Sequence, residues 1–444
     1  MEASTRPRLA HSLLGPPLFW ALGLWCLQIA FGVGLPLFAD EAYYWTWSRD
    51  LAAGYFDHPP AIAWWIAATG GAVRVTGLLL WPLVCWLLYD AGRRWGLAQS
   101  AWVPALLMAT PLGFVAPILT TPDTPLLLGW VIALWGVSAR RDGVIVLGLA
   151  LGLWSKAAIL VTWPGLALVL GWRRSAWVFG ASLLLYSPHL VWSAAHDWLP
   201  WSFQAERVSA AGNFFEALAG QVVLVGPWVL WALYRVWTGA SGPTLSVLKR
   251  LSGPTLILWL GLACVTRVEG NWPALAWPAA VLSIAASDGL RCASVVRWSA
   301  AVTLAVALGA SLFLGHAELG VGPPRDGPRL ATCLAETTVG PWVGRRYQET
   351  ALLRAAGVPV GYRRAVNHRR SQFDRGEMEP TPLCGYTYLG TQEDLGQACA
   401  GEMETQDACG YVVTACTCRQ ETKKEPAGKP TGSSAKGGSR TPTP

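Results

Sequence analysis

The chain has 444 residues, of which 53% are hydrophobic and only 14% charged. A soluble domain carries roughly 25% charged residues, and the apolar residues here run in stretches of membrane-spanning length, so a large soluble domain is excluded. The formal charge of +7 lies in small clusters between those stretches, which is a topology signal and not a nucleic-acid stripe.

In chain order, Leu13 to Leu37 behind Arg6 and Arg8 predicts an uncleaved first helix, with its N-terminus in the cytoplasm. Basic clusters then mark the cytoplasmic side: Arg93-Arg94, Arg140-Arg141, Arg173-Arg174, Arg235 with Lys249-Arg250, and Arg291 with Arg297. Between clusters the chain must leave and return. Ala101 to Thr121 with Pro125 to Ser138 is one such hairpin, and Trp177 to Trp192 with Phe214 to Trp237 is another. Gly143 to Trp172 is about 30 residues, long for one span and short for two, which predicts two short helices meeting near Lys156. Arg267 to Pro273 falls at an outer turn. The expected architecture is an all-α polytopic membrane protein of about eleven spans, multi-pass, with the C-terminus extracytoplasmic.

Three parts are expected: a membrane body over 1–315, an extracytoplasmic region over 316–420, and a disordered tail over 421–444, rich in Lys, Pro, Gly, Ser and Thr. The middle region carries Cys333, Cys384, Cys399, Cys409, Cys416 and Cys418, an even number that suggests disulfides in an oxidising compartment. Zinc competes for Cys416 and Cys418, but no paired C-x-x-C knuckles accompany them.

Positive residues belong inside, so charges on outer turns need another reason to be there. The densest stretch is Asp40-Glu41-Ala42-Tyr43-Tyr44-Trp45-Thr46-Trp47, followed by Gly54-Tyr55-Phe56-Asp57-His58-Pro59-Pro60. Aromatics here fit an interfacial belt, yet adjacent acids directly after the first span do not. Asp123, Lys156, His196, Arg207 and Arg267 fall on other outer turns. Acids and bases from many loops at one interface are the pattern of an active site.

The first motif pair resembles the first outer loop of bacterial membrane glycosyltransferases of the GT-C superfamily. The group it resembles is the dolichyl-phosphate-mannose-protein mannosyltransferase-like group, which includes aminoarabinose and galacturonic acid transferases acting on lipid A. The resemblance continues in order through Thr121-Pro122-Asp123-Thr124-Pro125, Gly152-Leu153-Trp154-Ser155-Lys156, Ser187 to Trp192 with His196-Asp197-Trp198, and Asn271-Trp272-Pro273. Ser193 stands where Asn is usual. Arg345 to Gln348 and Arg370 to Asp374 resemble the family's C-terminal part only faintly.

The resemblance implies transfer of a sugar from a polyprenyl-phosphate donor to lipid A, another glycan or a protein, at the outer face of the inner membrane. An acceptor hydroxyl needs a carboxylate to take its proton, and Asp40 is the first candidate. Glu41 and Asp123 are candidates to orient the acceptor or to hold a divalent cation, and Asp40 with Asp123 is a further pair for the cation. The leaving phosphate needs a cation, for which Lys156 comes first and Arg207, Arg267 and Arg74 follow. A lysine snorkelling to water is the plain alternative for Lys156. Tyr43, Tyr44, Tyr55, His58, His196 and Asn271 are candidate substrate-binding residues, each His having a structural hydrogen bond as its ordinary alternative. A transporter or lipid flippase would also bury charges, but that class expects internal repeats and a midplane site, and no repeat is evident.

Overall fold

The structure is a computed structural model that describes residues 15–207, 211–239, 242–315, 327–337, 342–344, 347–362, 386–389, 399, 402–408 and 411–417. Residues 421–444, Cys384, Cys409, Cys418 and Arg370 to Asp374 lie outside these described residues.

Helix α1 (Pro16–Gly34) is followed by the short α2 (Ala39–Ser48), α3 (Ala61–Ala68) and the long α4 (Val73–Arg94). Pro104 and Pro111 break the next stretch into α5 (Val103–Met108) and α6 (Pro111–Val115), so Ala101 to Thr121 is not one continuous helix. The Thr110 hydroxyl caps α6 by accepting from the Gly113 amide at 2.9 Å. Helices α7 (Asp123–Ala139) and α8 (Asp142–Ser155) form a tight antiparallel hairpin, closed by Arg140 in the left-handed region (φ 56). A methyl group at Gly148 would lie 2.5 Å from the Gly129 carbonyl oxygen and the Ala133 nitrogen, so small residues set how closely the two helices approach. We expect Gly148→Ala to push them apart and lower the apparent Tm in detergent by several degrees, at a cost of about 1–3 kcal/mol. An unchanged melting curve would contradict this packing.

Lys156 has extended backbone (φ −163, ψ 131) between α8 and a 3-10 turn at Ala157–Thr162, after which α9 (Trp163–Leu170) begins. The structure thus breaks the helix at Lys156, where the length of the apolar stretch placed the junction. Next come α10 (Trp172–Ala194), α11 (Leu199–Arg207), α12 (Phe214–Val225) and α13 (Pro227–Thr238). Gly226 at φ 86, followed by Pro227, bends α12 against α13 by 101°, so Phe214 to Trp237 is not a straight span. The body ends with α14 (Pro243–Leu262), α15 (Trp277–Ala285) and α16 (Cys292–Gly315).

Among the described residues three helices are long and apolar enough to cross a membrane: α1, α4 and Cys292–Gly309 within α16. Two bent pairs, α10 with α11 and α12 with α13, raise the number to five, and the other apolar helices are shorter. The eleven expected crossings therefore do not appear as eleven straight helices. Proline, glycine and the extended residue at Lys156 divide the apolar stretches into pieces.

Beyond the body, α17 (Gly327–Thr337), β1 (Trp342–Gly344), α18 (Tyr347–Ala355), β2 (Val360–Tyr362), β3 (Tyr386–Tyr388), β4 (Glu402–Ala408) and β5 (Tyr411–Thr417) form an α/β unit. Its five-stranded sheet has the order β2-β1-β3-β5-β4, parallel at β2-β1-β3 and antiparallel at β3-β5-β4. Cys399 is disulfide-bonded to Cys416 of β5, and Cys333 is also disulfide-bonded. Helix α18 packs against α2 through Tyr347, Ala351 and Leu352, so this unit sits on the end of the body that carries the first acidic motif.

Candidate active site

The first acids have opposite environments although they are neighbours. Glu41 is fully buried, and its carboxylate is saturated. Oε1 accepts from Arg74 Nε at 3.0 Å and the Thr120 amide at 3.2 Å, while Oε2 accepts from an Arg74 terminal nitrogen at 2.6 Å and the Phe38 amide at 3.0 Å. Arg74 spends its remaining donors on the carbonyls of Gly32 (2.7 Å), Leu35 (2.5 Å) and Pro36 (2.6 Å). A guanidinium has five N–H groups and a carboxylate about four lone-pair sites, so neither side chain retains capacity for a substrate. The geometry corrects the expectation of Glu41 as a catalytic residue and Arg74 as a phosphate ligand: together they lock the end of α1 and the start of α2 against the Thr120 turn.

Asp40 is exposed. One of its oxygens accepts from the Tyr347 hydroxyl at 3.1 Å, and among the described residues the other has no hydrogen-bond partner. The Tyr44 phenol lies buried among charges. Burial first, and then the charges of Asp40 and Asp57, with smaller contributions from Tyr347 and Asp123, raise its pKa well above the ordinary value, so it stays protonated.

The second centre joins three of the sequence motifs. Asp123 opens α7, Lys156 follows α8, and the α7–α8 hairpin brings both to the same end of the bundle. Lys156 Nζ donates to Asp123 Oδ1 at 2.9 Å, and Asn271 Nδ2 donates to Oδ2 at 2.5 Å. Side-chain exposures of 17% for Lys156 and 26% for Asp123 leave the pair reachable from outside. Arg140, Arg141 and the Arg174–Asp142 ion pair mark the opposite end, about 25 Å away along α7 at 1.5 Å per residue.

The Gly54–Pro60 turn is held by α10 and α11. Any side chain at Gly54 would strike the Trp192 ring at 2.3 Å. His189 Nδ1 meets the Ala53 carbonyl at 2.8 Å, and Gln204 Nε2 donates to the Asp57 carbonyl at 3.0 Å. His196 stacks on Trp192 at 4.2 Å, with its Nδ1 2.7 Å from the Trp192 carbonyl. That is a structural contact, which the sequence left open for this residue. His58 lies 6.5 Å, ring to ring, from Tyr44. His189 belongs to the Ser187 to Trp192 motif, where nothing in the local sequence distinguishes it from its neighbours.

Other candidates are placed elsewhere. Tyr43 and Tyr55 are buried in the aromatic cluster that packs at α2 and supports that helix. The Tyr55 hydroxyl lies 2.9 Å from the carbonyls of both Trp47 and Asp50, which share its single hydrogen, accepts from the Ala52 amide, and burial pushes its pKa up to about 12. Arg267 is exposed and pairs with Glu216 at 3.1 Å and Glu269 at 3.6 Å. Arg207 ends α11, and its side chain lies outside the described residues.

Both oxygens of Asp123 are engaged, one by the Lys156 ammonium and one by the Asn271 amide, and among the described residues no three His, Cys, Asp or Glu side chains are grouped to hold a metal ion. Tyr347 falls within the Arg345 to Gln348 segment but is not among the candidate site residues read from sequence, since it lies 307 residues from Asp40 and no local spacing relates them.

No family model matches the chain. A search among curated proteins finds the lipid A galacturonosyltransferase RgtD of Rhizobium johnstonii, 29% identical over 282 residues, covering 55% of this chain and 59% of the relative. The match thus spans under two thirds of that protein's length. Among solved structures, ArnT from Cupriavidus metallidurans bound to undecaprenyl phosphate aligns with a TM-score of 0.61 and 18% identity, covering 91% of this chain and 98% of ArnT. The same enzyme in the apo state aligns with a TM-score of 0.61 and 17% identity, over 90% of this chain and 96% of ArnT. The chain has the ArnT fold, and the resemblance to GT-C membrane glycosyltransferases carried by the ordered motifs is borne out.

Proposed function

We propose that this chain is a membrane glycosyltransferase that moves a sugar from a polyprenyl-phosphate donor to a hydroxyl of lipid A, with its site on the outer face of the inner membrane, its N-terminus cytoplasmic and its C-terminus extracytoplasmic. The observation that carries this reading is the convergence of Asp123, Lys156 and Asn271, three separate sequence motifs, at the bundle end that also bears Asp40. RgtD, named for galacturonosyl transfer to lipid A, supports the acceptor, and ArnT with bound undecaprenyl phosphate supports the donor class.

The residues divide the reaction between them. Asp40, one of whose oxygens has no partner among the described residues, accepts the proton as the acceptor oxygen bonds to the sugar's anomeric carbon. The bond from that carbon to the phosphate oxygen breaks, and the polyprenyl phosphate leaves with the electron pair. Lys156 meets the growing phosphate charge with N–H groups beyond the one given to Asp123. Asp123 aims the ammonium, and Asn271 holds Asp123 in that orientation.

Membranes containing the overproduced chain, supplied with radiolabelled polyprenyl-phosphate sugars, test the reading. Wild type transfers label to lipid A, and Lys156→Ala lowers kcat/KM about ten- to a hundredfold, the worth of one charged hydrogen bond of about 1.5–3 kcal/mol. No transfer by the wild type from any such donor sinks the proposal.

A further inference from the structure

Helix α18 stands between two apolar clusters. Ala351 and Leu352 pack with Ala42, Tyr43 and Ile62 of the membrane body. Leu353 packs the other way, with Leu334, Val360, Leu389 and Val413 of the sheet unit. Arg354 Nε donates to the Val360 carbonyl at 2.8 Å, fixing the helix to its sheet, and the Cys399–Cys416 disulfide closes the strand behind Val413. Tyr347 is the first residue of this braced helix. Its ring meets Tyr43 at 4.8 Å, and its hydroxyl donates to Asp40 at 3.1 Å.

We infer that Tyr347 is a positioning residue through which the C-terminal region completes the site, holding one oxygen of Asp40 so that the other faces the acceptor hydroxyl. This rests on the reading of Asp40 as the proton acceptor. An exposed carboxylate rotates freely about its last bond, and a base works only within hydrogen-bond reach of the proton it takes. One donor on one oxygen fixes the plane of the carboxylate. That donor comes from a helix held in place on both sides, so the extramembrane unit takes part in the chemistry and is more than a cover.

The experiment uses the purified full-length chain in detergent with a polyprenyl-phosphate sugar and lipid A, and compares Tyr347→Phe, Asp40→Asn and the double variant. Tyr347→Phe keeps the ring on Tyr43 and removes only the hydroxyl. The expected result is a kcat about five- to fiftyfold lower, with donor KM and apparent Tm unchanged. In the Asp40→Asn background the same change moves the residual rate less than twofold, because residues that act as a unit are not additive. A wild-type kcat in Tyr347→Phe, or a loss that adds fully to that of Asp40→Asn, overturns the inference and leaves the proposed reaction standing. Undiminished transfer in Asp40→Asn removes the proton acceptor itself, and the inference falls with it.

Discussion

Asp40→Asn is expected to lower sugar transfer by roughly 10²–10⁴-fold, the usual contribution of a positioned general base, while leaving the protein folded. The substitution is nearly isosteric. The Asn carbonyl still accepts from Tyr347, and the neighbouring Glu41–Arg74 lock is untouched, so the packing of α2 on α18 is preserved. What disappears is the capacity to take a proton at the one oxygen without a partner among the described residues. The two adjacent acids therefore make a controlled comparison: Asp40→Asn should affect rate without stability, and a change at Glu41 should affect stability first. The measurement is initial rate of label transfer beside an apparent Tm in the same detergent. Full activity in Asp40→Asn would remove the catalytic assignment, whatever its effect on Tm.

That contrast also shows where the sequence was legible. The residues of the Asp123 centre were readable because each sits in a short motif: Lys156 in one whose charge runs against the expected positive-inside trend, and Asp123 and the uncharged Asn271 in motifs that resemble the family's outer turns. The helix break at Lys156 followed from the length of the apolar stretch together with the basic residues at both its ends. Glu41 read as a site residue because it is a charge at an expected outer turn, and Arg74 as a further candidate cation for the phosphate, and sequence holds no record of whether a charge already has a partner. Their partners include the backbone at Phe38, Gly32, Leu35, Pro36 and Thr120, which no residue type announces. Tyr43 and Tyr55 illustrate the same loss for aromatics, since an interfacial belt, a buried cluster and a sugar platform share one composition. The straight spans expected around Phe214 to Trp237 ignored the Gly226-Pro227 step, a signal that was present. Tyr347 was different in kind, because it reaches Asp40 only through the packing of a whole extramembrane unit.

Arg74→Met carries the largest expected effect on stability. The change leaves the buried Glu41 carboxylate without its counter-charge, and three carbonyls, of Gly32, Leu35 and Pro36, without their donor. With side-chain exposures of 9% and 1%, water does not replace what is removed. Breaking one partner of a buried pair costs about 3–5 kcal/mol, mostly from the stranded charge. The apparent Tm in detergent should fall steeply, and activity should be lost along with the fold. A partner change separates this mechanism from simple loss of packing. Adding Glu41→Gln to Arg74→Met removes the stranded charge while keeping one oxygen, enough for either the Phe38 or the Thr120 amide, and should recover part of the lost Tm. If instead the double variant is less stable than Arg74→Met alone, the carboxylate contributes through its amide contacts and not through the pair. If Arg74→Met melts like wild type, the lock between α1, α2 and the Thr120 turn is not what holds Asp40 at the bundle end.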